Sequence, residues 1–329
     1  MPEPKIMTEA ELKDEKLKCV EKWGNLYDLK CVDGADRATL AMLLENQNIM
    51  NQVGSQHDSK FKEASLPLVH RIYSTLVARK LVSVQPLLGP KGPVFFLKFV
   101  YEIDPDAVHD LDEKEGVKQR IKLVVESEEV EARSRKLKTF HAIEDDINIE
   151  ELGTTISNEI TREIVTDLRL NAGTVGKFDL GGLPNETIKE RYEALCVKVV
   201  EVSTVIHRKT LHGGVNWIYT SPEIAGIFTA ASTRCFVPPG YVPDTDSDRI
   251  YYEGTVNNRW GLYVDTLFPK NEILLGYRGD SYMDAGYYYC PYIPLVTTKP
   301  RALTRYGKKM LKNGGPKFYA RITVEGLET

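Results

Sequence analysis

Two runs of alternating apolar residues on either side of an acidic segment constrain the fold of this chain more than any other feature. The first run places apolar side chains at Phe95, Leu97, Phe99, Tyr101 and Ile103, and the second at Val117, Ile121, Leu123 and Val125. Alternation with a period of two predicts β-strands, and the Asp104-Pro105 pair between them signals a turn. Residues 93–126 are therefore predicted to form a long antiparallel arm. Because two strands alone are only marginally stable in water, we expect the arm to rest on another copy of the chain.

The predicted tip of the arm is strongly acidic. Its carboxylates are Asp104, Asp106, Asp110, Asp112, Glu113 and Glu115. A calcium-binding loop of the EF-hand type needs an oxygen ligand at its fifth position and glycine at its sixth. Val108 and His109 occupy those two positions here. The segment is therefore interpreted as a solvated or partner-facing charged surface rather than a cation site.

Helical periodicity follows the arm. The apolar residues Leu152, Ile156, Ile160, Ile164 and Leu168 recur every four residues, which predicts a long amphipathic helix lying across a sheet. Thr187 and Glu190 have the spacing of a capping box and predict the start of a second helix, which extends to Ile206. Residues 251–256 and 260–264 predict a hairpin. Helices and antiparallel strands in separate stretches predict an α+β fold rather than a doubly wound sheet.

The N-terminal part is predicted to bury less. Residues 1–22 mix acids and lysines with few apolar side chains, which indicates a solvated helix or an arm. Residues 37–50 predict a short amphipathic helix, and the polar stretch 51–62 is typical of a linker.

Charge and cysteine content exclude several classes of protein. The formal net charge of −4 lacks the basic excess that tight nucleic-acid binding requires, so any contact with nucleic acid is expected to be non-specific. The 5 cysteines are far apart and form no C-x-x-C pair, which argues against a zinc site or a disulfide framework. There is neither a signal-peptide pattern nor a run of ~20 apolar residues, so folding in a cytosol without a membrane span is predicted.

A search for catalytic chemistry is negative. Gly173 and the Gly176-Lys177 pair resemble part of a phosphate-binding loop, but Asn171 and Phe178 stand where that loop needs glycine and a hydroxyl residue. The 6 histidines are scattered, and none has a paired metal-ligand spacing. We therefore predict a protein that acts through its surfaces, without catalytic residues, a cofactor or a metal.

Several segments carry more specific patterns. Residues 275–294 read LGYRGDSYMDAGYYYCPYIP, and residues 304–307 read TRYG. Upstream are residues 84–101, residues 131–138 (EARSRKLK), residues 43–47 and residues 21–23. Taken in chain order, these segments resemble the T-even type of tailed-bacteriophage major capsid protein. In that family the segment matching 131–138 begins a central helical region.

The resemblance implies the Hong-Kong-97-type capsid fold. Its parts would be an N-terminal arm or leader (1–85), an extended loop (86–132), a peripheral domain with a long spine helix (133–174 and 300–329) and an axial domain (175–299). The implied function is that of a major capsid protein that self-assembles into hexamers and pentamers. These would form the icosahedral head of the virion in the host cytoplasm and enclose the phage genome.

The resemblance also implies partners. They are the portal, scaffolding and decoration proteins and a prohead protease, with only non-specific contact to packaged DNA. Family members carry a longer segment between the extended loop and the spine, and their leader is cleaved, commonly after glutamate. Glu45 and Glu63 are the candidate cleavage sites here.

We expect the arm to lie over a neighbouring subunit, with its acidic tip on a basic surface of that subunit. The candidate basic residues are Arg133, Arg135, Lys136, Lys138, Lys308, Lys309 and Lys312. Loops near 244–249 are expected to line the centre of the ring. Two alternatives stay open, a pentamer-only vertex paralogue and a soluble enzyme with an unrecognised site.

Overall fold

A computed structural model of the chain describes residues 8–26, 29, 34–53, 59–103, 119–136, 149–181, 187–232, 234–240, 249–298, 301–312 and 314–327. The helices within these residues are α1 (Glu9–Trp23), α2 (Gly34–Val53), α3 (Ser59–Ser74), α4 (Ala78–Leu81), α5 (Ile149–Leu170), α6 (Ile188–Thr210) and α7 (Pro222–Ala230). A short 3-10 turn spans Gly315–Phe318.

The described strands form three sheets. The four-stranded sheet has the order β1 (Ser83–Val84), β11 (Tyr287–Thr298), β12 (Arg301–Met310) and β4 (Arg133–Lys136). The seven-stranded sheet has the order β5 (Thr174–Asp179), β13 (Tyr319–Glu325), β10 (Glu272–Gly276), β6 (Trp217–Thr220), β9 (Trp260–Asp265), β8 (Ile250–Val256) and β7 (Phe236–Val237). The third sheet is the predicted arm, made of β2 (Lys91–Ile103) and β3 (Gln119–Glu131) alone.

The predicted α+β class is confirmed, but the sheets are not purely antiparallel. The pairs β1–β11, β5–β13 and β6–β9 are parallel. A parallel pair needs a long crossover connection, and α7 lies in the chain between β6 and β9. The antiparallel prediction was wrong here because residue periodicity does not report strand direction.

Helix α5 is the predicted long amphipathic helix. Its stripe is confirmed, because Ile156, Ile160, Ile164 and Leu168 are all buried. The helix packs on α3, where Gly153 permits a close approach; a Cβ atom at this position would come 2.7 Å from Cγ of Arg71. The four-stranded sheet and helices α1 to α5 share one hydrophobic core, so α5 is held along its whole inner face.

Helix α6 and the predicted hairpin belong to a second core under the seven-stranded sheet. The capping box of α6 is confirmed: the Glu190 amide donates to Thr187 Oγ1 at 3.3 Å, and the Thr187 amide donates to Glu190 Oε2 at 2.7 Å. In the β8–β9 hairpin, Asn257 and Asn258 adopt φ values of 52° and 54°. Both values lie in the left-handed region that a two-residue hairpin turn needs and that asparagine tolerates.

The N-terminal predictions were partly wrong. Helix α1 is not simply solvated, since it buries Leu12, Cys19 and Trp23 against the core. The linker predicted at 51–62 is shorter, because α2 continues to Val53 and α3 begins at Ser59. In both places a few apolar side chains at helical spacing are enough to form a helix that packs on the core, although the segment is polar on average.

One further expectation needs correction. The segment 131–138 does not begin a helix: Arg133–Lys136 is β4, which pairs antiparallel with β12 at the edge of the four-stranded sheet. Charged residues are common on edge strands. Residues 300–329 contribute to two sheets, because β12 joins the four-stranded sheet and β13 the seven-stranded one.

Among the described residues, no helix combines the length and the apolar character that crossing a membrane would require.

Candidate assembly surfaces

The base of the arm is firmly attached to the body. The buried Gln85 side chain donates to the Phe95 carbonyl at 2.6 Å and accepts from the Phe95 amide at 3.0 Å. Two residues further along β2, the Leu97 amide donates to the Met283 carbonyl at 3.0 Å. Val94, Phe96 and Val130 are buried in a small core beneath this base. The direction in which the arm leaves the body is therefore set by the body itself.

One face of the arm is apolar and becomes uncovered away from the base. Cross-strand partners project to the same face, and on this face Phe95 pairs with Ser127 and Leu97 with Val125. Phe95 is buried, whereas Val125 is 47% and Leu123 is 53% exposed. The face thus leaves the core of its own chain and continues as an exposed apolar strip.

An apolar groove adjoins this strip at the base of the arm. The groove has a volume of about 650 Å³ and is lined by Leu12, Pro86, Leu87 and Leu88, together with Phe95 of the arm. Because Phe95 belongs to both, the groove and the exposed strip form one apolar surface. We call this surface the arm face; it consists of the groove, Val125 and Leu123.

The acidic tip lies outside the described residues. This applies to Asp104, Asp106, Asp110, Asp112, Glu113 and Glu115, and also to the candidate basic residue Lys138. Their predicted roles stay predictions. The loop expected at the ring centre also lies outside the described residues, except for Arg249.

Three of the predicted basic residues are already paired within their own chain. Lys308 Nζ lies 2.7 Å from both Glu163 Oε1 and Asp167 Oδ2 of α5. Arg135 Nε lies 3.5 Å from Glu163 Oε1. Lys309 Nζ is 2.9 Å from Glu128 of the arm. These pairs attach β12 and β4 to α5 and to the arm, which is an internal role.

Glu163 is the centre of this network. Burial opposes its ionisation, but hydrogen bonds from Lys308 and Tyr306 outweigh burial and hold its pKa below the ordinary 4.5. The carboxylate is therefore charged at neutral pH and holds Lys308 in place.

The other three basic candidates are available for a partner. Arg133 and Lys136 of β4 are exposed, as is Lys312 after β12. Within the part of the chain that the structure describes, no carboxylate forms an ion pair with any of the three.

The two candidate cleavage sites lie in helices. Glu45 of α2 accepts hydrogen bonds from Trp23 Nε1 at 2.8 Å and from Lys22 Nζ at 2.6 Å, so it holds α1 against α2. Glu63 lies in α3, and its side chain is outside the described residues. Cleavage at either site stays a prediction.

The glycine- and tyrosine-rich segment 277–286 connects the two large sheets, because it runs from β10 to β11. Asp284 is its organising residue. Its carboxylate contacts His212 Nδ1 at 2.5 Å and accepts from Tyr277 Oη at 3.0 Å. Burial and the charge of Asp284 raise the pKa of Tyr277 well above its ordinary value. The phenol therefore stays protonated and keeps donating.

Sequence reasoning missed His212. Its pairing with Asp284 spans 72 positions, and no local spacing signals such a contact. The arrangement joins the end of α6 to the connection between the sheets. Within the described residues, no group of histidine, cysteine or carboxylate side chains could hold a metal ion.

A firmly attached two-stranded arm with an uncovered apolar face is typical of proteins that bind other protein chains. A model of the family described as major capsid protein Gp23 matches residues 59–121 and 108–305 of this chain. The match covers well over half of the sequence, so the chain belongs to the major capsid protein Gp23 family.

Curated relatives bear the same description, "Major capsid protein". The Vibrio phage KVP40 protein is 26% identical over 204 residues, covering 52% of this chain and 40% of its own length. The Enterobacteria phage T4 protein is 25% identical over 226 residues, covering 56% and 43%. The Salmonella phage ViI protein is 24% identical over 247 residues, covering 63% and 56%. The chain thus spans about half the length of these relatives.

Solved structures with a similar fold include a virus-like particle from Pyrococcus furiosus, with a TM-score of 0.45 and 11% identity over 80% of this chain and 100% of that one. A chain of Microbacterium phage Oxtober96 has a TM-score of 0.45 and 10% identity over 76% and 91%. With TM-scores below 0.5, we infer nothing further from these similarities.

Proposed function

We propose that this chain is the major capsid subunit of a tailed bacteriophage of T-even type, with a Hong-Kong-97-type fold. It assembles into hexamers and pentamers that form the icosahedral head around the genome. Its site of action is the virion head, and assembly takes place in the host cytoplasm. Family membership supports this proposal, and the uncovered arm face is the observation that carries it.

The arm face supports assembly for a physical reason. A two-stranded ribbon cannot bury apolar residues on its own, so exposed Leu123 and Val125 cost free energy until a second molecule covers them. A ring of identical subunits supplies that cover at every arm, because each copy offers its neighbour the same surface. Many such moderate contacts permit errors to be corrected during assembly.

In this proposal the parts of the fold take the following roles. The arm within 86–132 is the extended loop, and α5 is the spine helix of the peripheral domain. The seven-stranded sheet with α6 and α7 forms the core of the axial domain. The N-terminal helices α1 to α4 are the arm or leader region of residues 1–85.

The acidic tip is proposed to meet the basic surface of a neighbouring subunit. Arg133, Lys136 and Lys312 are the favoured receivers, since their charges are not used by described acids of their own chain. Replacing Asp110, Asp112 and Glu113 by lysine should weaken assembly or make it strongly salt-dependent. Normal shells at all salt concentrations from this variant would rule out the tip contact.

Portal and scaffolding proteins, decoration proteins and a prohead protease are proposed partners, and contact with packaged DNA is proposed to be non-specific. No catalytic role is proposed for any residue, which agrees with the structural character of the family.

Electron microscopy and sedimentation of the full purified chain test the proposed function. Rings of six, tubes or shells are expected. A monomer that stays stable at high concentration and binds a small metabolite would refute the proposal and favour the soluble enzyme. The vertex paralogue is distinguished by copy number in the particle, because a chain confined to the vertices is present in five copies per vertex, far fewer than a chain that also forms the hexamers.

A further inference from the structure

A second concave surface lies between α6 and the β8–β9 hairpin. It has a volume of about 770 Å³ and is lined by Val200, Ser203, Thr204, His207, Arg208, Gly214, Val215, Arg234, Asn257, Arg259 and Trp260. None of these residues is acidic, and three are arginines. We call this surface the arginine pocket.

Backbone contacts give the arginine pocket a defined shape. The Val215 amide donates to Ser203 Oγ at 3.0 Å, which ties the chain after α6 back onto the helix. The Asn257 amide donates to the Cys235 carbonyl at 2.7 Å, which places the segment carrying Arg234 beside the hairpin turn. Trp260 is buried at 4% exposure and forms part of the floor. The arginines therefore project from elements that are held together.

The charges of the pocket are not neutralised by the described part of the chain. Arg208, Arg234 and Arg259 are exposed, and none of them forms an ion pair with a described carboxylate. By contrast, Arg162 and Arg169 are paired with Asp265 and Glu272 at 2.6 and 3.0 Å. Three like charges around one concavity repel one another, so a partner that brings carboxylates is favoured.

Helix α6 indicates that the partner is a protein. Val197 and Val200 lie on the outer stripe of the helix that continues to Thr204 and Arg208, and they are 59% and 44% exposed. Aliphatic side chains offer nothing to a phosphate backbone. Arginine next to exposed apolar side chains and an aromatic residue is typical of protein interfaces.

A second copy of the chain fits this chemistry. The chain carries a net charge of −4. Because the pocket holds three arginines, the rest of the chain has a larger excess of acidic groups. The pocket lies beside β8 and β9, near one edge of the seven-stranded sheet, whereas β5 forms the opposite edge. At that edge Glu325 of β13 is paired with Lys177 of β5 at 2.7 Å, whereas exposed Asp179 of β5 forms no ion pair with a described cation. A ring contact joins two different faces of the same chain, and the unpaired Asp179 can supply a carboxylate of the kind that the arginine pocket favours.

We propose that the arginine pocket is an interface that receives an acidic surface of a neighbouring copy of this chain. The inference rests on the proposed self-assembly and deepens it, because it assigns one contact of the ring to the seven-stranded sheet. The contact is independent of the arm face, because the two surfaces share no residue and lie on different sheets.

The test compares two charge-matched variants of the full chain. The pocket variant carries Arg234→Glu and Arg259→Glu, and the control carries Lys189→Glu and Lys270→Glu. Sedimentation velocity at low and high salt measures association. The pocket variant is expected to associate at least tenfold more weakly at low salt than the wild type and to lose most of the salt dependence. The control is expected to behave as the wild type does.

The outcomes separate the two proposals. If the wild type does not associate at any concentration, the proposed function fails. If the wild type associates and the pocket variant associates equally well, the arginine pocket is not an interface. Weaker binding of a duplex DNA probe with unchanged association would likewise overturn the inference and identify a nucleic-acid surface. Should the pocket variant unfold, as judged by its thermal melt, the pair Arg234→Gln and Arg259→Gln replaces it under the same criteria.

Discussion

Replacing Leu123 and Val125 by threonine should weaken assembly while leaving the subunit folded. Threonine is β-branched and keeps the strand, but it makes the arm face polar. About half of each native side chain is exposed, and complete burial of such a side chain is worth roughly 1.5–3 kcal/mol. Covering the exposed halves then contributes roughly 2 kcal/mol per arm, which corresponds to about a 30-fold change in each contact's equilibrium constant.

Light scattering against protein concentration measures this effect as the concentration at which assembly begins. That concentration should rise by at least an order of magnitude in the double variant. The matched control is Leu267→Thr, because Leu267 is 72% exposed in the turn after β9, which belongs to a different sheet from the arm. The control should assemble as the wild type does. An unchanged onset for the double variant, with an unchanged thermal melt, would refute the claim that the arm face is covered during assembly.

Two further predictions concern the body that supports the arm. Asp36→Ala should lower the free energy of unfolding by about 3–5 kcal/mol in urea denaturation, because Arg79, which lies 2.8 Å from Asp36 and is only 4% exposed, would stay buried without its carboxylate. The double change Asp36→Leu with Arg79→Met should recover much of this loss. A cost below 1 kcal/mol for the single change would contradict the argument. Glu163 has a lowered pKa in the folded state, so its stabilisation is present above the ordinary pKa of 4.5 and is lost as the pH falls through the lower folded value. Glu163→Gln should therefore flatten the fall in stability below pH 4.5, and an unchanged pH profile would exclude this role.

The long elements of the fold could be predicted from the sequence because their patterns are local. The stripe of α5, the capping box of α6 and the asparagine turn of the β8–β9 hairpin each use interactions between residues a few positions apart. The alternation of β2 and β3 is equally local. Each of these features is confirmed by the structure.

Contacts between distant segments could not be predicted in the same way. Segment 131–138 carries charges that suit an exposed helix and an edge strand equally well, and only its pairing with β12 decides between them. The parallel pairs and the division of 300–329 between two sheets depend on the whole topology.

The same distinction between local patterns and distant contacts applies to the candidate assembly surfaces. The exposed arm could be inferred, since strands without partners need cover. That Arg135, Lys308 and Lys309 are engaged by acids of their own chain could not be inferred, because those acids lie on other elements. The arginine pocket escaped notice for the same reason, as its three arginines come from three separate segments.

The central claim is that a neighbouring copy covers the arm face, and cysteine protection measures this directly. Four native cysteines (Cys19, Cys196, Cys235 and Cys290) are buried, so Val125→Cys in a Cys31→Ser background provides one reactive thiol on the arm face. A maleimide should label this thiol rapidly in the free subunit and at least tenfold more slowly in assembled particles, whereas Leu267→Cys should be labelled rapidly in both. Equal labelling of Val125→Cys before and after assembly would contradict the claim.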